Sequence, residues 1–180
     1  MVKLGVGVTF DVYGRLRTEV GEERTVFTSV NDDEVGEVVT GASSGVPAAG
    51  DWARLLIDEG SDVALDHVDV RYGGNGATAC YDDDNEGETI VAMVEVRNAF
   101  DALLVHSDFR DALGELVFLD LSGEEFATVD SNTFSHAACG VTQDSGRGRF
   151  VANDFLSWEQ DESTVRLSPA LFARDMDDSA

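Results

Sequence analysis

At 180 residues the chain is long enough to bury a continuous core as one domain over residues 1–180, so neither disulfides nor a metal are needed to explain its folding. Its 36 acidic against 12 basic residues give a formal charge of -24, which repels phosphates; with no cluster of Lys or Arg in the sequence, nucleic acid and anionic membranes are disfavoured as partners. No stretch approaches the roughly 20 apolar residues of a membrane span, and the opening Met1 to Val8 has no apolar run of signal-peptide length, so the chain reads as cytoplasmic or as a fragment.

Lys3 is the only lysine beside eleven arginines. The surplus of carboxylates, the scarcity of lysine and the small apolar residues resemble proteins of extreme halophiles. Salt shortens the Debye length from about 10 Å at 0.1 M to about 3 Å at 1 M, so high salt is expected to screen the self-repulsion and stabilise the fold.

In chain order, Val8 to Arg17 alternates apolar and polar residues and predicts a strand with one buried face, with Gly14 supplying a turn. Val26 to Ser29 predicts a second strand. Residues 31–50 are polar, Gly-rich and aperiodic, a long surface loop. Leu55 to Ile57 predicts a third strand, and short strands recur at Val63 to Val70, Ile90 to Val96, Leu103 to Val105, Leu116 to Leu121, Ala127 to Val129 and Phe150 to Phe155. At the far end, Ser168 and Pro169 form an N-cap and first helical position, with Phe172 and Met176 one helical turn apart, so a capping helix is predicted over 168–177.

The strands recur with a period. Val68-Asp69-Val70-Arg71 matches Val94-Glu95-Val96-Arg97 at a spacing of 26, and Asn132-Thr133-Phe134 matches Asn153-Asp154-Phe155 at a spacing of 21, with Ser107-Asp108-Phe109 a weaker copy 25 before Asn132. Self-similarity at this period with only strands in each unit predicts an all-β solenoid whose stacked coils provide the core. Asn132 and Asn153 would then stack, and Phe134 and Phe155 would stack inside. On the same coil spacing, Cys80 and Cys139 would lie about 10 to 15 Å apart and remain free, buried thiols. Arg71 and Arg97 would occupy equivalent coil positions and form a ladder with Asp69 and Glu95.

The order Val8 to Leu16, Val26-Phe27-Thr28-Ser29, Asn31-Asp32-Asp33, Gly50-Asp51-Trp52 and Leu65-Asp66-His67-Val68-Asp69-Val70-Arg71-Tyr72-Gly73-Gly74 resembles right-handed parallel β-helix repeat proteins of the pectin-lyase-like class. The match spans residues 6 to 76, with looser repeats to about 158. The upstream coils and N-terminal cap usual in that class are absent, and Ala53 stands where a glycine is usual, so the chain looks like a truncated β-helix. Longer relatives in the class are exported or displayed at the cell surface, which leaves localisation open. An uncovered first coil would invite end-to-end self-association.

Asp82, Asp84 and Glu86 place oxygens at alternate positions ahead of Gly87, the pattern of a calcium loop, although the twelfth position is Met93 rather than a bidentate glutamate. A solvated acidic turn explains the same residues, as it does Asp32 and Asp33, so calcium is the only cofactor raised. Polysaccharide cleavage, which such folds often host, would need paired carboxylates on one face. Asp66, Asp69, Asp101 and Asp108 are the candidates, and a groove in which an Arg such as Arg71 or Arg97 faces two carboxylates would mark the enzyme. With 36 carboxylates such neighbours also arise by chance, so no residue is assigned as catalytic. His67, His106 and His136 would share a metal only if they met on one face, and separate roles are expected. Neither a nucleophile elbow nor a phosphate-binding loop is present.

The sequence therefore leads to a non-catalytic β-helix module, structural or adhesive, contacting polysaccharide or cell-surface protein. A polysaccharide lyase or glycoside hydrolase is the enzymatic alternative, and a truncated fragment without independent function is the third.

Overall fold

The structure, a computed structural model, describes residues 1–18, 21, 23–75, 91–121, 126–156 and 165–167. Strands follow one another as β1 (Val2–Leu4), β2 (Thr9–Val12), β3 (Arg15–Arg17), β4 (Thr25–Ser29), β5 (Arg54–Ile57), β6 (Asp62–Asp66), β7 (Val68–Arg71), β8 (Ala92–Arg97) and β9 (Asp101–Val105). They continue as β10 (Asp108–Arg110), β11 (Glu115–Asp120), β12 (Phe126–Asp130), β13 (Thr133–Ser135), β14 (Cys139–Ser145), β15 (Arg147–Val151), β16 (Asp154–Leu156) and β17 (Val165–Leu167). No helix occurs among the described residues. The helix expected over 168–177 lies outside them.

Every third strand joins the same sheet. Sheet A runs β1-β4-β7-β10-β13-β16, sheet B runs β2-β5-β8-β11-β14-β17 and sheet C runs β3-β6-β9-β12-β15, with every pairing parallel. Three strands make one coil, and coils stack through backbone hydrogen bonds at about 4.8 Å. This is the topology of a parallel β-helix, and its core is the space the three sheets enclose.

Side-chain alternation along each strand sends one set inward, and parallel register turns each inward position into a column. In sheet A the column is Val2, Phe27, Val70, Phe109, Phe134 and Phe155. Phe109 and Phe134 stack at 5.3 Å between ring centroids, and Phe134 and Phe155 at 5.0 Å. In sheet B, Leu55, Val94, Val117 and Val141 form one column, and in sheet C, Leu65, Leu104 and Val129 form another. All of these last seven residues are buried.

The corners carry the chain's irregularity. Between sheets C and A the turn is a residue in the left-handed region, repeated as His67 (φ 55), His106 (φ 50), Ser131 (φ 56) and Ala152 (φ 52). These turns split two segments that sequence alternation reads as continuous strands: Val63 to Val70 breaks at His67, and Phe150 to Phe155 breaks at Ala152. Directly after the turn, Val68 N–H donates to Ser107 Oγ, Ser107 N–H to Asn132 Oδ1 and Asn132 N–H to Asn153 Oδ1, at 3.0 to 3.1 Å. The expected stacking of Asn132 on Asn153 is observed, with Ser107 as the copy one coil earlier.

The proposed match of Val68 to Arg71 with Val94 to Arg97 is not a coil repeat. The first segment is β7 in sheet A and the second is β8 in sheet B, so Arg71 and Arg97 are not equivalent and no ladder links them. Sheet A partners show the true intervals: Thr28 to Arg71 spans 43 residues, Val68 to Ser107 spans 39, Ser107 to Asn132 spans 25 and Asn132 to Asn153 spans 21. The extra residues of the two long coils fall at the corner between sheets A and B, in the connections from β4 to β5 and from β7 to β8.

The free-thiol expectation also fails. Cys139 is disulfide-bonded, and Cys80, the one other cysteine of the chain, lies outside the described residues. Counting coils gives an axial distance only for residues held in a strand.

Candidate functional site

The outer face of sheet A and its corner with sheet B gather a connected set of polar side chains. On β7 and β10, Arg71 and Arg110 are register partners, as are Asp69 and Asp108. Like charges one strand spacing apart repel, and carboxylates reach in to offset this. Arg110 donates to Asp69 from Nε at 3.3 Å and from Nη2 at 3.0 Å, while Arg71 Nη1 lies 3.3 Å from the same carboxylate. Arg24 pairs with Asp108.

The loop over residues 31–50, expected to be a polar surface excursion, contains no strand but is pinned to this face. Asp32, with no solvent exposure, accepts from Arg71 Nε at 2.9 Å and from Thr28 Oγ1 at 2.6 Å. Burial works against ionisation of Asp32, but these hydrogen bonds and the Arg71 charge outweigh it and hold its carboxyl below the usual range. Lys3, the single lysine, donates to the backbone carbonyls of Asp32 and Glu37 at 2.6 and 2.9 Å. At the loop's end Asp51 accepts from Ser29, Asn31 and the Ala48 N–H. Trp52 is fully buried, its Nε1 donates to Arg71 O at 2.8 Å, and a Cβ on Gly73 would come within 2.8 Å of its ring. Gly73 is thus required by close packing.

Where β7, β10 and β13 turn toward sheet B, three residues share the left-handed region: Tyr72 (φ 67), Asp111 (φ 56) and His136 (φ 52). They line a cavity of about 500 Å³ together with Pro47 to Ala49 of the loop, Ala112, Leu113, Ala137 and Ala138. Asp111 accepts from Arg110 Nη1 at 3.0 Å and lies 3.6 Å from His136 Nδ1. Burial raises the pKa of the Tyr72 hydroxyl despite the neighbouring Arg71 charge.

The candidates named from sequence that lie among the described residues fall in five places. Asp69 and Arg71 meet on the outer face of sheet A, where Arg71 does face two carboxylates, Asp69 and Asp32, but is itself buried. Asp66 ends β6 on the other side of the C–A corner, where His67 Nδ1 and His106 Nδ1 lie 2.7 and 3.0 Å from its Oδ1. His136 stands apart from these two histidines, at the A–B corner. Arg97 pairs with Glu95 of its own strand, and Glu95, fully buried, also holds Arg54 at 2.5 Å. Asp101 sits at the start of β9 on the exposed side of sheet C. Asp82, Asp84 and Glu86 lie outside the described residues.

The Arg71–Arg110 pairing and the Tyr72-Asp111-His136 column escape the sequence because the first depends on a coil of 39 residues and the second on coils of 39 and 25. The signal for them was the residue after each sheet A strand, which a register taken from the Asn and Phe columns would have aligned. No family model, curated protein or solved structure matches the chain.

Proposed function

We propose that this chain is a non-catalytic, right-handed β-helix module of the pectin-lyase-like kind, adapted to high salt, which contacts a neutral glycan through the cavity at the A–B corner. The observation that carries this reading is the composition of the cavity: an aromatic ring, an imidazole and one carboxylate over a floor of alanines and Leu113. Ligand sites of this kind combine apolar walls with a few placed polar groups, and the ring of Tyr72 suits the C–H face of a sugar. Glycoside hydrolysis is disfavoured because it uses two carboxyl groups about 5 to 10 Å apart across the bond. Among the described residues lining the cavity only Asp111 is acidic, and it is engaged by Arg110.

The test is titration of neutral oligosaccharides into the intact chain in molar salt, read by calorimetry and by product analysis. Saturable binding that weakens at least tenfold in Y72A, with the oligosaccharide recovered intact, supports the module. Cleaved or unsaturated products would establish the enzymatic alternative instead, and no binding across neutral glycans would end the glycan reading.

A further inference from the structure

We propose that Asp66, His67 and His106 form a binding site for one divalent transition-metal ion of the Zn²⁺ or Ni²⁺ type, on the C–A corner and separate from the cavity. The ligand atoms of these three residues all lie within 4.8 Å of one another. The Nδ1 atoms of the two imidazoles are 2.7 and 3.0 Å from Asp66 Oδ1, and the rings lie 5.2 Å apart, tilted by 42°. Donors about 2.1 Å from a metal are separated by about 3 Å at right angles and about 3.4 Å at tetrahedral angles, so a shift of a few tenths of an ångström in the exposed imidazoles would let both nitrogens and the carboxylate reach one ion.

The backbone beneath is fixed independently of the imidazoles. Asp66 N–H donates to Thr18 Oγ1 at 2.8 Å, and that hydroxyl donates to Asp66 O at 2.9 Å. His67 N–H reaches Val105 O and His106 N–H reaches Asp130 O, at 3.3 and 3.1 Å. The same corner position is filled by Ser131 and Ala152 in the next two coils, so nothing in the turn demands histidine. The two imidazoles remain substantially exposed, with side-chain accessibilities of 41% and 54%, and can receive an ion from solvent. Nitrogen donors favour Zn²⁺ and Ni²⁺ over Mg²⁺ and Ca²⁺, which separates this site from the general attraction of cations to a surface of charge -24.

The experiment titrates ZnCl2 into the intact chain in molar NaCl with a hundredfold excess of Mg²⁺, following affinity by calorimetry and the three imidazoles by NMR. One equivalent is expected to bind, and two of the three imidazole signals are expected to shift. H67N and H106N should each lose at least tenfold in affinity, asparagine being tolerant of the left-handed backbone there, whereas H136N should bind zinc as the unaltered chain does. Absence of saturable binding under excess Mg²⁺, affinity indifferent to both substitutions, or movement of all three imidazoles or none would overturn the site. The NMR reading on the unaltered chain stands even if a substituted chain misfolds.

Discussion

Arg71 and Arg110 stand side by side in register on adjacent strands of sheet A, and Asp69 touches both. The pair survives because that single carboxylate lies between the two guanidinium groups, with Asp32 and Asp111 at either end. Replacing Asp69 by asparagine should leave two like charges one coil apart and cost about 2 to 4 kcal/mol. Denaturant unfolding in molar salt checks this. A loss under about 0.5 kcal/mol, the level of a solvated surface pair, would mean the network contributes little.

Asp32 gives the fold an acid limit. Its folded-state pKa is depressed, so its contribution is fully present above the unfolded carboxylate value of about 3.9 and is lost as pH falls through the lower folded value. D32N should therefore be less stable at neutral pH and show a flatter decline of stability below about pH 4. Parallel slopes for the two chains would show that other carboxylates set the acid transition.

Asn132 is 2% exposed and serves three partners besides its own backbone. Its Nδ2 donates to Leu104 O at 2.7 Å and to Asn153 Oδ1 at 3.1 Å, and its Oδ1 accepts from Ser107 N–H at 3.0 Å. N132A should cost about 2 to 4 kcal/mol through the buried groups it leaves unpaired. N153A, nearer the end of the stack and more exposed, should cost less. Thermal unfolding of the two single variants ranks them directly, and the opposite order would refute the ladder as a buried network.

The Asn and Phe columns were legible because their copies stand in short coils whose side chains are distinctive. Val-x-Val-Arg was misleading for the converse reason: a buried strand of sheet A and one of sheet B share the same apolar alternation, so the pattern cannot say to which sheet a strand belongs. The three-residue strands β10 and β13 are too short to show a period of two, and appear only through the Phe109 and Phe134 columns. Asp66, His67 and His106 meet across a coil of 39 residues, most of whose excess length sits in one connection. Without that length the histidines read as unrelated.

Salt dependence tests the surface as a whole. The screening length drops from about 10 Å to about 3 Å between 0.1 and 1 M, so the melting temperature should rise by several degrees over that range, in NaCl and KCl alike. A flat response would place the excess charge where it does not repel, and would remove the case for a high-salt setting.

The two long connections, from β4 to β5 and from β7 to β8, enter at the same corner, while β10 to β11 and β13 to β14 cross it in four and three residues. Register is set strand against strand above and below, so a coil keeps its place whatever length of chain leaves and returns there. That corner is in effect an interchangeable rim on an invariant barrel of stacked rungs. Segments grafted between Asp33 and Ala48 would give the same scaffold a new recognition surface without asking the core to relearn its packing.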